Sequence, residues 1–344
     1  MQTRLTEAGS LLDSEGRLNE AGYAKTLIKS YERSAIKANP LRIKEWDYYL
    51  IYNQNYGLAL TIADNSYMGL MSASILDFVH RTETTKSVMT AMPMGHLHLP
   101  STSERGNVSF RNSKIDISFF NDGNERRLLC RFPNFRESRT LEASIRLYGM
   151  PRDSMVIATP FAEDSRAFYY NQKINCMRAS GTVKVGDWSM SFRPDDSFGG
   201  LDWGRGVWTY QNTWYWSSAS GLLNGHRFGW NLGYGFGDTS AASENMLFYD
   251  GTGHKLDRVT FDIPKDGSGK DAYLRTWHFR SSDERLQMTF VPILDRHADT
   301  NAGVIESRQH QVFGKFSGSA VLDDGTVLWI KDFMGFAEKV TNRW

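Results

Sequence analysis

The sequence lacks several features that mark specialised classes of protein. Its 344 residues include only two cysteines and nine prolines, and the formal net charge is +1. Two isolated cysteines, Cys130 and Cys176, do not make a disulfide framework; we expect reduced thiols, although a single bridge between them stays open. Because the charge is balanced, nothing in the composition favours a polyanionic partner, and we expect no binding of nucleic acid.

Long hydrophobic runs are also missing. No segment reaches the roughly 18–20 apolar residues that cross a bilayer. Residues 1–12 contain no apolar run of the kind found in a signal peptide. We therefore expect a soluble cytoplasmic protein; transient membrane contact and the oligomeric state stay open.

Motifs for cofactors and metals are absent as well. Residues 233–237 read Gly-Tyr-Gly-Phe-Gly, but this spacing differs from a dinucleotide fingerprint, and no strand-to-helix context follows. His96 and His98 would share the face of a strand, yet no third ligand stands at a spacing typical of zinc sites. We expect neither a cofactor nor a metal.

Aromatic residues and glycine, in contrast, are abundant. The chain has 30 glycines and ten tryptophans, and five of these tryptophans lie between positions 203 and 230. Across 208–236, bulky side chains alternate with small or polar ones in two runs. A period of two indicates strands, because successive side chains leave opposite faces of a sheet. The block predicts an antiparallel hairpin at the centre of a β-barrel or curled sheet.

The second run of this hairpin has a bare face, that is, a face with few bulky side chains. Its odd positions from 227 to 235 are Arg, Gly, Asn, Gly and Gly. A bare backbone in a strand indicates the close approach of a ligand, a crossing strand or a barrel bend. The sequence leaves these alternatives open.

The rest of the chain predicts further strands, about sixteen to eighteen in all, separated by short polar turns. Such a series indicates an antiparallel, mostly β fold, and its length suits two barrels. We predict a lead-in over 1–40 with a short helix within 19–37, a first barrel over 41–165 and a second over 166–344.

Several short motifs resemble a known family, DUF2804, in the same order along most of the chain. The matching pieces are residues 16–19 (Gly-Arg-Leu-Asn), 44–48 (Lys-Glu-Trp-Asp-Tyr), 76–78 (Leu-Asp-Phe), 199–208 (Gly-Gly-Leu-Asp-Trp-Gly-Arg-Gly-Val-Trp), 313–318 (Phe-Gly-Lys-Phe-Ser-Gly), 335–338 (Gly-Phe-Ala-Glu) and 343–344 (Arg-Trp).

More distantly, residues 168–204 resemble the central block of the carotenoid-hydratase and AttH-like proteins. That resemblance implies two tandem lipocalin-like β-barrels and a large apolar ligand. It also implies that Asp202 matches the aspartate that acts as proton donor in the hydratases. The hydratases' upstream His-x-Trp pair is absent, because residues 169–173 read Tyr-Tyr-Asn-Gln-Lys here.

Asp202 is the first candidate catalytic residue. If it is buried against an indole, desolvation would raise its pKa and favour a neutral acid that gives a proton. The alternative is a structural pair between Asp202 and Arg205 that closes a turn. His226, a second candidate, would act as a base or orient a ligand, with a hydrogen-bonded core or rim histidine as the alternative.

The aromatic block supplies the candidate binding residues for a lipid or isoprenoid-like molecule, since aromatic faces stabilise a developing cation. These residues are Trp203, Arg205, Trp208, Tyr210, Trp214, Trp216, Trp230 and Asn231. Three functions stay open: a cyclase, hydratase or isomerase that works by acid–base chemistry, a non-catalytic lipid carrier, and a structural or interaction protein whose barrels are filled by side chains.

Overall fold

The chain folds almost entirely into β-strands in a computed structural model, which describes residues 2–302 and 305–343. Apart from a separate parallel pair between Gly9–Ser10 and Lys29–Ser30, the strands form two large sheets, and each of these curls into an antiparallel half-barrel. The predicted mostly-β, tandem lipocalin-like fold is confirmed. Trp344, which contributes to the family resemblance, lies outside the described residues.

The first half-barrel is a sheet of thirteen strands. The strands of the lead-in and of this half of the chain are β1 (Gly9–Ser10), β2 (Gly22–Ala24), β3 (Lys29–Ser30), β4 (Ile43–Tyr52), β5 (Tyr56–Asp64), β6 (Met68–Asp77), β7 (Thr82–Ala91), β8 (Val108–Arg111), β9 (Asp116–Asn121), β10 (Arg126–Arg136), β11 (Arg139–Tyr148), β12 (Met155–Phe161), β13 (Asp164–Val185), β14 (Trp188–Phe192) and β15 (Phe198–Val207). The order across the sheet is β7-β6-β5-β4-β15-β13-β11-β10-β9-β8; β12 and β14 pair with β13, and β2 pairs with β12.

The second half-barrel is a sheet of nine strands in the order β19-β18-β17-β16-β24-β23-β22-β21-β20. Its strands are β16 (Gln211–Leu223), β17 (His226–Tyr234), β18 (Met246–Tyr249), β19 (Thr252–Lys255), β20 (Val259–Asp262), β21 (Trp277–Ser281), β22 (Leu286–Ala302), β23 (Ile305–Val321) and β24 (Val327–Arg343). The predicted hairpin is β16–β17. The chain passes from one sheet to the other between Val207 and Gln211; the domain boundary at 165/166 stays a prediction.

The helix predicted within residues 19–37 is wrong. That stretch contains β2, β3 and a single turn of 3₁₀-helix at Arg33–Ala35, and another such turn follows at Pro40–Arg42. The cause is tertiary, because Gly22–Ala24 pairs with residues 156–158 of β12 and lengthens the first sheet. Backbone pairing with an existing strand outweighs the weak helical preference of an isolated segment.

Three apolar clusters hold the molecule together. One fills the first half-barrel and one fills the second. The third joins the two, because the outer face of β4–β6 packs on β16 and β22–β24. We call this contact region the junction. Its buried apolar members are Leu50, Tyr52, Ala59, Leu76, Phe78, Trp216, Leu294, Phe313, Met334 and Phe336.

The long strand β13 crosses the bare face of β17. Asn175 donates through Nδ2 to the carbonyl oxygens of Ala219 and Trp230, at 3.2 and 3.0 Å. A Cβ added at Gly229 would lie 2.2 Å from the Ala219 oxygen and 2.7 Å from Sγ of Cys176. Of the alternatives left open by the sequence, the crossing strand is therefore the one observed.

Candidate functional site

Three neighbouring strands place one polar side chain each in a row on the junction side of the first half-barrel. Asp202 on β15 lies opposite Lys173 on β13 and opposite Tyr48 on β4. Side chains directly opposite each other in adjacent strands share a face. Asp202 and Lys173 are 8% and 4% exposed, so an ion pair is buried here.

The local sequence explains how Asp202 reaches the junction. The same-face positions of β15 at 200, 204 and 206 are all glycine, so Asp202 carries the one side chain on that face between 200 and 206. A Cβ at Gly204 would lie within 1.9 Å of the Trp46 ring, which covers the strand there. Because these glycine positions have no side chains, the aromatic residues of the junction can approach the backbone of β15.

The carboxylate of Asp202 is held by two donors that meet on one oxygen. Nζ of Lys173 lies 2.8 Å from Oδ1, and Nδ2 of Asn171 donates to the same atom at 2.6 Å. Since both contacts end on Oδ1, Oδ2 is left available to a ligand. A carboxylate oxygen without a protein donor can accept a hydrogen bond from a ligand.

The second half-barrel covers this row with two tryptophans. Nζ of Lys173 lies 3.9 Å from the ring centroid of Trp216, which is cation–π distance. Nε1 of Trp216 donates to Oδ1 of Asn231 at 2.7 Å, and Nε1 of Trp214 donates to Oε1 of Glu338 at 2.9 Å. The indoles thus link Lys173 to a second set of buried polar groups.

Two further acids belong to this set. Burial raises the pKa of Glu338 to about 7, although the hydrogen bond from Trp214 and the charge of Lys173 act in the opposite direction. Burial also raises the pKa of Glu244, which is half-buried and accepts from Nδ2 of Asn231 at 3.2 Å. An acid with a pKa near 7 can both give and take a proton at neutral pH.

A small cavity adjoins the Asp202–Lys173 pair. It offers about 20 Å³ to the centre of a water molecule, which is room for about one water. Its walls are mixed, with aromatic rings, hydroxyl groups and the two charged side chains. The lining residues are Tyr48, Leu50, Tyr52, Lys173, Ile174, Asn175, Gly200, Leu201, Asp202, Trp216, Ser218, Ser220 and Phe336.

An aromatic cluster lies beside these acids. The Trp208 ring packs edge-on against Trp46, Trp214 and Phe236, with ring centroids 5.3, 5.7 and 4.8 Å apart. Tyr169 stacks on Trp46 at 6.1 Å. The predicted binding residues Trp208, Trp214, Trp216 and Asn231 therefore come together with Asp202 at the junction.

Trp203 and Arg205 lie elsewhere, inside the first half-barrel. Successive residues of β15 face opposite sides, so these two point away from Asp202. Nη2 of Arg205 donates to Oδ1 of Asp47 at 3.0 Å. The expected structural pair between Asp202 and Arg205 is wrong, because an even and an odd position of one strand cannot share a face.

The remaining candidates are dispersed. Trp230 is fully buried inside the second half-barrel and donates through Nε1 to Oγ of Ser217 at 3.1 Å. Tyr210, 44% exposed, lies on the segment between the sheets. His226 lies at the exposed start of β17, where Nδ1 is 2.7 Å from Oδ2 of Asp250. None of the three belongs to the junction group just described, and the catalytic role of His226 stays a prediction.

Sequence reasoning overlooked Lys173, Glu244 and Glu338 as members of the site. The available signal was a charged residue in the middle of a strand that also carries aromatic residues, as at Lys173, which follows Tyr169 and Tyr170 in β13. A charge buried in such a strand needs a partner. Which partner it finds depends on how the two half-barrels pack.

The described ranges contain neither a metal-binding cluster nor a membrane-spanning helix. Within 2–302 and 305–343, no group of three or more His, Cys, Asp or Glu side chains is arranged to hold a metal ion. His96 and His98 lie in a turn rather than on a strand, with ring centroids 6.1 Å apart. Among the same residues, no helix has the length and apolar character needed to cross a membrane.

Known structures share this architecture. AttH (NE1406) from Nitrosomonas europaea has a TM-score of 0.57 at 12% identity, covering 90% of this chain and 97% of that one. CghA, crystallised with Sch210972, has a TM-score of 0.56 at 11% identity, covering 97% of each chain. At these identities the likeness concerns the fold, and it confirms the predicted resemblance to AttH-like proteins.

Sequence comparison identifies the family. Among curated proteins, none matches this chain. The sequence model of the family described as Domain of unknown function (DUF2804) matches residues 2–344, so the chain belongs to that family.

Proposed function

We propose that this protein is an enzyme that moves a proton to or from a small, mainly apolar molecule at the junction of its two half-barrels. The observation that carries the proposal is the buried Asp202–Lys173 pair, which lines a cavity at a contact between two otherwise apolar surfaces. Asp202 is the residue that exchanges the proton. Acid–base cyclisation, hydration and isomerisation each include such a step.

Burying charged groups at the junction costs free energy. A buried ion pair seldom adds stability, because desolvation cancels the attraction, and hydrophobic residues of equal volume would serve packing as well or better. Here Asp202, Glu244 and Glu338 all interact electrostatically with Lys173. Several coupled ionisable groups beside a cavity mark a functional site more often than a structural one.

The walls suit an apolar molecule that gains positive charge. Tyr48, Trp216 and Phe336 line the cavity with aromatic surface. Aromatic faces stabilise cations, as Trp216 does for the ammonium group of Lys173. A cation that develops on a protonated ligand would face the same aromatic rings, and the carboxylate of Asp202 would offset the charge of Lys173.

Filled interiors argue against a lipid carrier, which needs a large cavity. Large aromatic side chains fill the second half-barrel, with Trp230, Trp277 and Phe290 completely buried. The junction cavity holds about one water, so a ligand must displace Trp216, Phe336 or both on entry. These filled interiors support the alternative of a structural or interaction protein, which the experiment must separate from the enzyme.

The test measures the exchange of protons between the protein and a bound molecule. Organic extracts of the purified protein are analysed by mass spectrometry, and the extracted molecule is returned to the protein in D₂O. We expect the wild type to incorporate deuterium into the molecule and Asp202→Asn to lose that incorporation while keeping its far-UV circular dichroism. Asp116→Asn, which alters an exposed carboxylate paired with Arg111, is the matched control.

The outcomes separate the alternatives. Binding without exchange in the wild type would indicate a carrier. An extract with no bound molecule, together with no thermal shift from a panel of apolar compounds, would indicate filled barrels. His226→Asn, run in parallel, tests the remaining predicted catalytic residue and is expected to exchange deuterium like the wild type.

A further inference from the structure

A second polar group lies inside the first half-barrel, on the opposite face of β15 from Asp202. It contains two guanidinium groups, Arg126 and Arg205, which are 3% and 0% exposed. Both donate to one short segment of chain. Nη2 of Arg126 reaches the carbonyl oxygen of Ser103, and Nη2 of Arg205 reaches that of Pro100, both at 2.7 Å.

The positive charge of this group is not balanced. Asp47 is the acid hydrogen-bonded to Arg205, and it also feels the charge of Arg126. Burial raises the pKa of Asp47 and both arginines oppose that shift, so this one carboxylate interacts with two guanidinium groups. Within the described ranges, Arg126 forms no ion pair; its Nη1 meets the thioether sulfurs of Met150 and Met177, which are poor acceptors.

Three donors of the group have no acceptor in the part of the chain that the structure describes. They are Nε of Arg126, Nε of Arg205 and Nε1 of Trp203, all shielded from solvent. The Arg205 guanidinium lies 4.3 Å from the Trp203 ring centroid. An unmatched buried donor costs free energy, and a guanidinium without a counter-charge costs more. An excess of donors and of positive charge is what an anion site provides.

We infer that Arg126, Arg205 and Trp203 form a binding site for a small monovalent anion beneath residues 100–103. The ligand class is a halide or a small carboxylate, because the donors are few and buried. Glu45, which lies opposite Arg205 on β4, is paired with Arg33, so three arginines share two carboxylates. The site is separate from the proposed catalytic junction, since Trp203 and Arg205 occupy the opposite face of β15. It stabilises the first half-barrel by supplying the missing acceptor.

The experiment measures thermal unfolding at constant ionic strength while sodium chloride or sodium formate replaces sodium gluconate, whose anion is too bulky to enter. For the wild type, the midpoint should rise with the concentration of chloride or formate and then saturate, as expected for a ligand that binds only the folded state. A response to chloride alone assigns a halide site, and a response to formate alone assigns a carboxylate site.

Two variants and a control locate the effect. Arg126→Met should abolish the saturable response. Trp203→Phe keeps an aromatic ring but loses one donor, and it should weaken the apparent affinity about 5-fold, the equivalent of one hydrogen bond. Arg131→Met changes an exposed arginine on the same strand, 61% exposed and paired with Glu142, and should respond like the wild type.

Three results would overturn the inference. One is a wild-type midpoint that rises linearly and equally with every salt. Another is an unfolding midpoint of Arg126→Met that exceeds the wild-type midpoint by the same amount with and without chloride or formate. The variant would then keep the wild type's response to the anion, and removing an unpaired charge would be the whole effect. If Arg126→Met does not fold, an unchanged affinity in Trp203→Phe contradicts the site.

Discussion

Glu338 shows how one buried residue can make the stability of the whole protein depend on pH. It is 3% exposed, and both of its oxygens accept hydrogen bonds, from Trp214 at 2.9 Å and from Gln311 at 3.2 Å. Even so, burial raises its pKa from 4.5 to about 7. The folded state therefore holds a proton on Glu338 that the unfolded chain releases in the same pH range.

This shift predicts that stability falls as pH rises. The favourable contribution of protonated Glu338 is fully present below about pH 4.5 and is lost as the pH increases through about 7. Over that window the wild type should lose on the order of 3 kcal/mol relative to Glu338→Gln, since one pKa unit is worth about 1.4 kcal/mol. Urea denaturation of both proteins at several pH values measures the difference. The exposed Glu142→Gln is the control, and parallel curves for wild type and Glu338→Gln would contradict the prediction.

Lys173 neutralises the acids of the junction. Its removal leaves Asp202 as a buried carboxylate without a cation, so Lys173→Met should cost about 3–5 kcal/mol at neutral pH. Adding Asp202→Asn removes the uncompensated charge and should recover much of that loss. A double-mutant cycle by chemical denaturation gives the coupling energy, and the exposed Lys184→Met on the same strand is the control. Additive effects of the two substitutions would mean that Lys173 and Asp202 are not energetically coupled.

At the scale of elements, the bare face of β17 is a packing surface for β13. Gly229→Ala would place a methyl group 2.7 Å from Sγ of Cys176 on β13. It would also lie 2.2 Å from the backbone oxygen of Ala219 on β16, which cannot move independently of its strand. We expect a loss of roughly 1–3 kcal/mol and a shift of β13 against β17. Gly267→Ala, where no atom lies within 4 Å of the new Cβ, should change stability by less than about 1 kcal/mol. Equal midpoints for the two variants in thermal unfolding would show that the contact between β17 and β13 can accommodate an added methyl group.

The strands were predictable because their evidence is local. Alternation over 208–236 predicts β16 and β17. The lead-in was less predictable. Its helix was inferred from residues 19–37 alone, whereas Gly22–Ala24 finds its partner more than 130 positions away in β12. A signal of that range is absent from any short window of the sequence.

At the scale of the whole molecule, the candidate site depends on how the two half-barrels face each other. Periodicity tells which side chains share a face, but not which face meets which. Asp202 and Trp216 were foreseen as members of a site because both belong to the aromatic block. Lys173 and Glu338 were not, because they are 165 positions apart in the sequence and are brought near each other by Trp214 and Trp216 at the junction.

The junction should also make the two half-barrels unfold together. Phe313 of β23 is fully buried there, with its ring 5.3 Å from Phe78 of the first half-barrel and 5.7 Å from Phe336 of the second. Phe313→Ala removes contacts on both sides and should cost about 3–5 kcal/mol. Hydrogen exchange followed by mass spectrometry should then quicken in β5 as well as in β24, because one cooperative unit opens as a whole.

The control for this prediction is Val291→Ala, which truncates a side chain 53% exposed on neighbouring β22 and should leave exchange in both sheets unchanged. Faster exchange confined to β22–β24 in Phe313→Ala would mean that the first half-barrel is stable without its partner. The site at the junction would then lie between two independent units, and a ligand could enter by parting them. If the two half-barrels instead unfold as one cooperative unit, a ligand must enter by a local movement of side chains that line the cavity, such as Trp216 and Phe336.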